Sequence, residues 1–167
     1  MIDKLDRKLI EELQKDGRTS HISLASKLGV SEGTVRKRLA KLVAKNIIRV
    51  AALPNLSALG YNLTSIIGIQ VRMTDLRMVA DALARKANVC RLAFVAGRYD
   101  LIAIVVSRSH KALSDFIEKE VSTVPGVTRT ETFVNLDVIK GEWAGIDTTQ
   151  LVSTLDSSLF GEEQKRE

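Results

Sequence analysis

One cysteine, Cys90, excludes an internal disulfide framework and a cysteine-rich zinc site. Two histidines, His21 and His110, leave little for an imidazole metal centre, so no metal and no cofactor are expected. Aromatic residues are only 4% of the chain, so its cores must be built from Leu, Ile, Val and Ala. Long apolar runs are missing too. Stretches such as 101–106 fall far below the roughly 20 residues that a bilayer span requires. Charge begins at Asp3, which predicts no secretory signal. The expectation is a cytoplasmic protein in a reducing compartment, with no membrane association. No Ser/His/Asp set, phosphate loop or metal-ligand spacing marks an enzyme.

What is present is ordinary in amount and uneven in placement. The 167 residues are 45% apolar and 27% charged, enough for one domain or two small ones. Residues 1–50 carry 12 Lys/Arg against 6 Asp/Glu, whereas 51–167 carry 13 against 14. A basic first third on a neutral remainder fits a polyanion-binding module joined to a scaffold of another kind. A solvated, charged helix face has the same signature, and charge alone does not separate the two.

Residues 3–16 read as a helix with Leu5, Leu9, Ile10 and Leu13 on one stripe. Ser20 can cap a short second helix carrying Leu24, Ala25 and Leu28, and Gly29 suits its left-handed end. Ser31 can cap a third helix to about Lys45, with Val35, Leu39 and Leu42 inward. Three helices with this turn chemistry match a helix-turn-helix, and 47–54 reads as a short strand or wing ended by Pro54. The first domain is therefore 1–54, with a linker at 55–63. From Thr64 the pattern alternates, with Ile67, Ile69 and Val71 on one face. Expected elements are a strand from 64, a helix at 75–87, strands at 89–96 and 101–107, a helix at 110–123, and a long strand at 127–140. This βαββαβ order over 64–140 predicts an α+β chain, a winged helix-turn-helix followed by a ferredoxin-like domain. Residues 101–106 are apolar on both faces, whereas both helices cover one face, so a homodimer through the other is expected. Residues 141–167 form a C-terminal extension. Its stripe of Leu151, Val152, Leu155 and Leu159 after Trp143 reads either as a helix packing on a neighbouring subunit or as a frayed tail.

The third helix carries the most specific chemistry. At about 100° per residue, Gly33, Lys37, Ala40 and Ala44 lie opposite the inward stripe, flanked by Thr34, Arg36 and Lys41. A small, polar first turn followed by cations suits entry into the major groove of double-stranded DNA. Ser31 and Gly33 open this set. Glu32, Thr34, Arg36 and Lys37 are base-edge candidates, Arg36 having the geometry best matched to guanine. Lys41, Lys45 and Arg49 are phosphate candidates, and Arg38 faces either DNA or an acid on the first helix.

The segments Leu5-Asp6, Gly17-Arg18-Thr19-Ser20, Leu24-Ala25, Leu28-Gly29-Val30-Ser31, Arg38-Leu39 and Ile47-Ile48 follow one another at fixed spacing. Gly97-Arg98-Tyr99-Asp100 and Pro125-Gly126-Val127 continue the order. Over residues 2–140 the chain resembles the Lrp/AsnC (leucine-responsive/asparagine-responsive, feast/famine) transcription regulators. That resemblance implies an N-terminal helix-turn-helix and a ferredoxin-like (RAM) domain for dimerisation, assembly to tetramers or octamers, and amino-acid sensing. It implies effector contacts at Gly97, Arg98, Tyr99 and Asp100, with Phe94, Phe133, Val134, Asn135 and His110 around them. The chemistry is reasonable: a glycine loop exposes N–H groups to a carboxylate, and Asp100 can meet an ammonium. An ordinary hairpin turn uses the same residues. Arg98 stands where many relatives carry a short acidic or polar residue. The leading expectation is a regulator of pseudo-palindromic operators with an amino-acid effector; the alternative is an effector-independent architectural protein that coats DNA.

Overall fold

Asp3 starts the chain's first helix by capping it reciprocally. Its Oδ1 accepts from the N–H groups of Leu5 at 2.9 Å and Asp6 at 3.0 Å, while Asp6 Oδ2 accepts from Asp3 N–H at 3.2 Å. The computed structural model describes residues 2–139 and forms two units that divide between Ala52 and Leu53. The expectations for the tail beyond 139 lie outside the described residues.

The first unit holds α1 (Lys4–Lys15), α2 (His21–Leu28) and α3 (Glu32–Ala44). Ser20 Oγ caps α2 through Ser23 N–H, Gly29 ends it at φ 65°, and Ser31 Oγ caps α3 through Thr34 N–H. The left-handed φ at Gly29 is a conformation in which most side chains would be strained. Leu9, Leu24, Ala25 and Val35 form the core, packed by Leu5, Leu13, Leu28, Val30 and Leu39. Each such leucine contributes about 1.5–3 kcal/mol by leaving water. The expected wing is absent: among the described residues 47–54 form no strand. The β-branched residues there have the propensity, but a strand needs a ladder partner, and this unit holds only helices.

The second unit runs β1 (Leu63–Val71), a 3₁₀ turn (Met73–Asp75), α4 (Leu76–Ala84), β2 (Val89–Phe94), β3 (Leu101–Ser107), α5 (His110–Phe116) and β4 (Val127–Val134). A π turn, Ile117–Val121, prolongs α5. The sheet order is β2-β3-β1-β4, antiparallel throughout, which is the ferredoxin-like arrangement. Ile67 sits between Ala103 and Thr132 in register. With Ile69, Leu101 and Val105 it meets Val79, Leu83, Leu113 and Phe116 on the helix-covered face.

Two boundaries differ from expectation for physical reasons. β4 stops at Val134 rather than 140, because β1 begins at Leu63 and the ladder ends where Asn135 N–H reaches Thr64 O. Residues 55–63 are no free linker. Leu56 and Tyr61 are buried with Cys90 and Val106, and Leu59 packs against them. The chain itself therefore covers one end of the face expected to need a second copy; Ile102 and Ile104 stay half-buried there.

Candidate nucleic-acid interface and effector loop

On α3 the inward seam is Val35 and Leu42, with Leu39 half-buried beside them. Gly33, Lys37, Ala40 and Ala44 are exposed on the opposite side, with Lys41 alongside and Thr34 half-buried. Lys37, Lys41, Lys45 and Arg49 make no ion pair with any described residue. Their ammonium and guanidinium groups remain available to an external anion.

Lys4, Arg7, Lys8 and Arg18 likewise make no ion pair with a described residue, whereas Lys15, Lys27, Arg36 and Arg38 are engaged internally. Glu12 takes Lys15 at 2.6 Å and Lys27 at 2.9 Å, and these two ammonium groups hold its carboxyl down to about 2. Of the two roles open to Arg38, DNA or an acid on the first helix, the structure shows the second. Its guanidinium bonds to Asp3 and, at 3.0 Å, to Asp6, tying α3 to the start of α1. The hydrogen bond to Arg38 holds the Asp3 carboxyl below the usual carboxylate range and pushes Arg38 up. Its side chain is 32% exposed, against 68% for Arg36. Arg36 leans back one turn onto Glu32, so these two base-edge candidates are paired in the free protein. Beside them an open apolar cleft of about 660 Å³ is lined by Leu13, Leu39, Val43, Ile48 and Val50, and also by Thr19, His21 and Arg36. Thr19 and His21 were not expected at this site; their position just before and at the start of α2 was the available signal.

In the second unit the β2–β3 loop folds over the sheet face that the helices leave uncovered. Tyr99 lies against Gly68, where an added Cβ would fall 2.7 Å from the ring. The Tyr99 hydroxyl donates to Glu131 on β4, and this bond, with burial, pushes the phenol up. Gln70 Nε2 donates to the Arg98 carbonyl at 2.9 Å. Gly97 sits at φ 142°, a conformation that favours glycine. Gly68, Gln70 and Glu131 were missed from sequence; a lone glycine inside an alternating strand is the sign of close backbone approach.

Several expected effector residues are placed elsewhere. Phe94 pairs in register with Leu101, so its ring shares the helix-covered side, under Arg77 at 5.9 Å and beside Asp81. Phe94 therefore does not meet Tyr99 within one chain. Val134 packs into the helix-side core, and Asn135 uses its N–H on Thr64 O. Phe133, opposite Ile66, is half-exposed on the Tyr99 side. Asp100 Oδ2 accepts from Val71 N–H at 2.8 Å, so one carboxylate oxygen closes the ladder rather than awaiting an ammonium. His110 is the exposed first residue of α5, capped by Ser109.

Among the described residues no helix is long and apolar enough to cross a membrane, and no three His, Cys, Asp or Glu side chains are grouped to hold a metal. Residues 2–43 match the AsnC-type helix-turn-helix domain, and residues 64–143 match the Lrp/AsnC ligand binding domain. The HTH-type transcriptional regulator LrpA of Pyrococcus horikoshii is 35% identical over 141 residues, covering 84% of this chain and 100% of its own. The structure of E. coli AsnC superposes with a TM-score of 0.80 at 29% identity, covering 84% of this chain and 96% of that one. A feast or famine regulatory protein from M. tuberculosis, solved with L-methionine, gives 0.76 at 26% identity, covering 87% and 99%. These are regulators rather than enzymes. With both domains matched in order along the chain, this protein belongs to the Lrp/AsnC family of transcriptional regulators.

Proposed function

We propose that this regulator binds double-stranded DNA at discrete, pseudo-palindromic operators as a symmetric homodimer or a larger assembly of dimers. The observation that carries this is the outer side of α3. Gly33, Ala40 and Ala44 leave room for a duplex, while Lys37, Lys41, Lys45 and Arg49 keep their charges unpaired. In this reading the N-terminal part of α3, with Glu32, Thr34, Arg36 and Lys37, meets base edges, and Lys41, Lys45 and Arg49 meet phosphate. Two such helices in a dimer would address half-sites about 34–36 Å apart or a multiple of that. A small amino acid, as bound by the related mycobacterial protein, would act at the β2–β3 loop and alter assembly and hence DNA affinity by linkage. Such a protein works in the cytoplasm.

The test is footprinting on genomic fragments together with Arg36→Ala and Lys41→Ala. Discrete protected sites support the reading; uniform protection makes the protein a DNA-coating one. Arg36→Ala should cost about 1–3 kcal/mol of discrimination at one base position, whereas Lys41→Ala should weaken all sequences alike. Equal losses on every sequence for both variants would refute the division of roles.

A further inference from the structure

The β2–β3 loop holds more unused donors than a chain reversal needs. Val95 N–H bonds to Asp100 O and Asp100 N–H to Ile69 O, which closes the loop. The N–H groups of Ala96, Gly97, Arg98 and Tyr99 bond to no described residue. Successive free amides around a glycine of positive φ leave several N–H donors open to one anion.

Two guanidinium groups lie near that loop. Arg98 is 69% exposed, with its guanidinium carbon 5.9 Å from the centre of the Tyr99 ring. Its paired carboxylate, Glu131, is 3.8 Å away, beyond hydrogen-bond reach, so the guanidinium is free to turn. Arg129 stands two residues before Glu131 on the same face of β4, opposite Gln70, and has no ion pair with a described residue. Both arginines act electrostatically on the Tyr99 phenol. The acids beside them are half-occupied: Glu131 holds the Tyr99 hydroxyl with one oxygen, and Asp100 holds Val71 N–H with one. The second oxygen of each has no hydrogen bond with a described residue.

Resting on the effector reading proposed above, we infer that the ligand of this loop is an amino acid with an acidic side chain. One carboxylate would sit on the loop amides and the other on Arg98 and Arg129. The ammonium would take the open oxygen of Glu131 or Asp100. Three charged groups on the ligand thus meet three complementary sets on the protein. An aliphatic side chain placed here would strip water from Arg98 without supplying it a partner, which is unfavourable.

The experiment is thermal denaturation of the full chain with L-aspartate, L-glutamate, L-leucine, L-methionine or sodium sulfate at matched ionic strength. A saturable rise in Tm with an acidic amino acid, and not with the others, is expected. Arg98→Ala and Arg129→Ala, each with an unchanged Tm in the absence of ligand, should each weaken that response about tenfold or more. A rise with leucine or methionine alone overturns this inference and leaves the effector reading standing. Sulfate matching the acidic amino acids, or Arg98→Ala and Arg129→Ala both responding like the parent, also overturns it. No rise with any amino acid overturns the effector reading and this inference together.

Discussion

Tyr99 lies flat on Gly68, its ring within 2.7 Å of where a side chain would begin. Gly68→Ala should therefore push the ring outward and break the Tyr99–Glu131 bond. Overpacking of this kind costs about 1–3 kcal/mol. Urea unfolding measures the loss. Ultraviolet titration of the phenol should show it falling back toward its ordinary value, since the bond that pushes it up is gone. An unshifted titration would mean that Tyr99 had kept its partner.

Arg38 and Lys41 lie on one helix with different tasks. Arg38→Ala leaves the buried Asp6 carboxylate without its guanidinium and unties α3 from α1, so the Tm should fall. Lys41→Ala should leave the Tm unchanged and weaken DNA binding, with a salt slope shallower by about one per subunit. Circular dichroism melts and gel shifts at several salt concentrations separate the two. A normal Tm for Arg38→Ala would deny the clamp.

Glu12 sets an acid limit for the first unit. Its folded value, about 2, lies below its ordinary 4.5, so the charged form is favoured in the folded state. That contribution is complete above pH 4.5 and is lost as pH falls from there toward 2. Glu12→Gln should flatten the stability profile in this window. Added salt should flatten the parent's profile too, because the pairs with Lys15 and Lys27 are solvent-facing. An unaltered acid limb in Glu12→Gln would reject this origin.

Ser65 and Ser107 hide hydroxyl oxygens on the helix-covered face with no hydrogen-bond partner among the described residues. Burying an unmatched hydroxyl costs about 1–3 kcal/mol. Ser107→Ala should therefore be neutral or raise stability by up to about 1 kcal/mol in urea titrations. A clear loss of stability would show that the hydroxyl has a partner in solution.

Much of the architecture was legible because local signals agreed. Ser20, Gly29 and Ser31 mark the helix ends, and the change from helical to alternating spacing near Thr64 marks the second domain. What was not legible depended on distant partners. The side chains after Val134 still alternate, but their strand has nothing left to pair with beyond Thr64. Phe94 is placed with the loop by the family resemblance. The β2 register, shifted between Val89 and Arg91, decides which face its ring takes, and that shift leaves no mark in composition. Leu56 and Tyr61 fall within a segment that reads as a hinge, yet they bury with Val106, 50 and 45 residues further along the chain. The pairing of Tyr99 with Glu131 spans 32 residues and needed the sheet register to be seen.

Glu12, Asp3 and Asp6 together mute Lys15, Lys27 and Arg38. Lys4, Arg7, Lys8 and Arg18 make no ion pair with a described residue, so the pull of the first unit on a polyanion is not confined to α3. Charge would draw a duplex in, and shape would then sort it, because only a surface whose side chains are small enough to be straddled admits a groove.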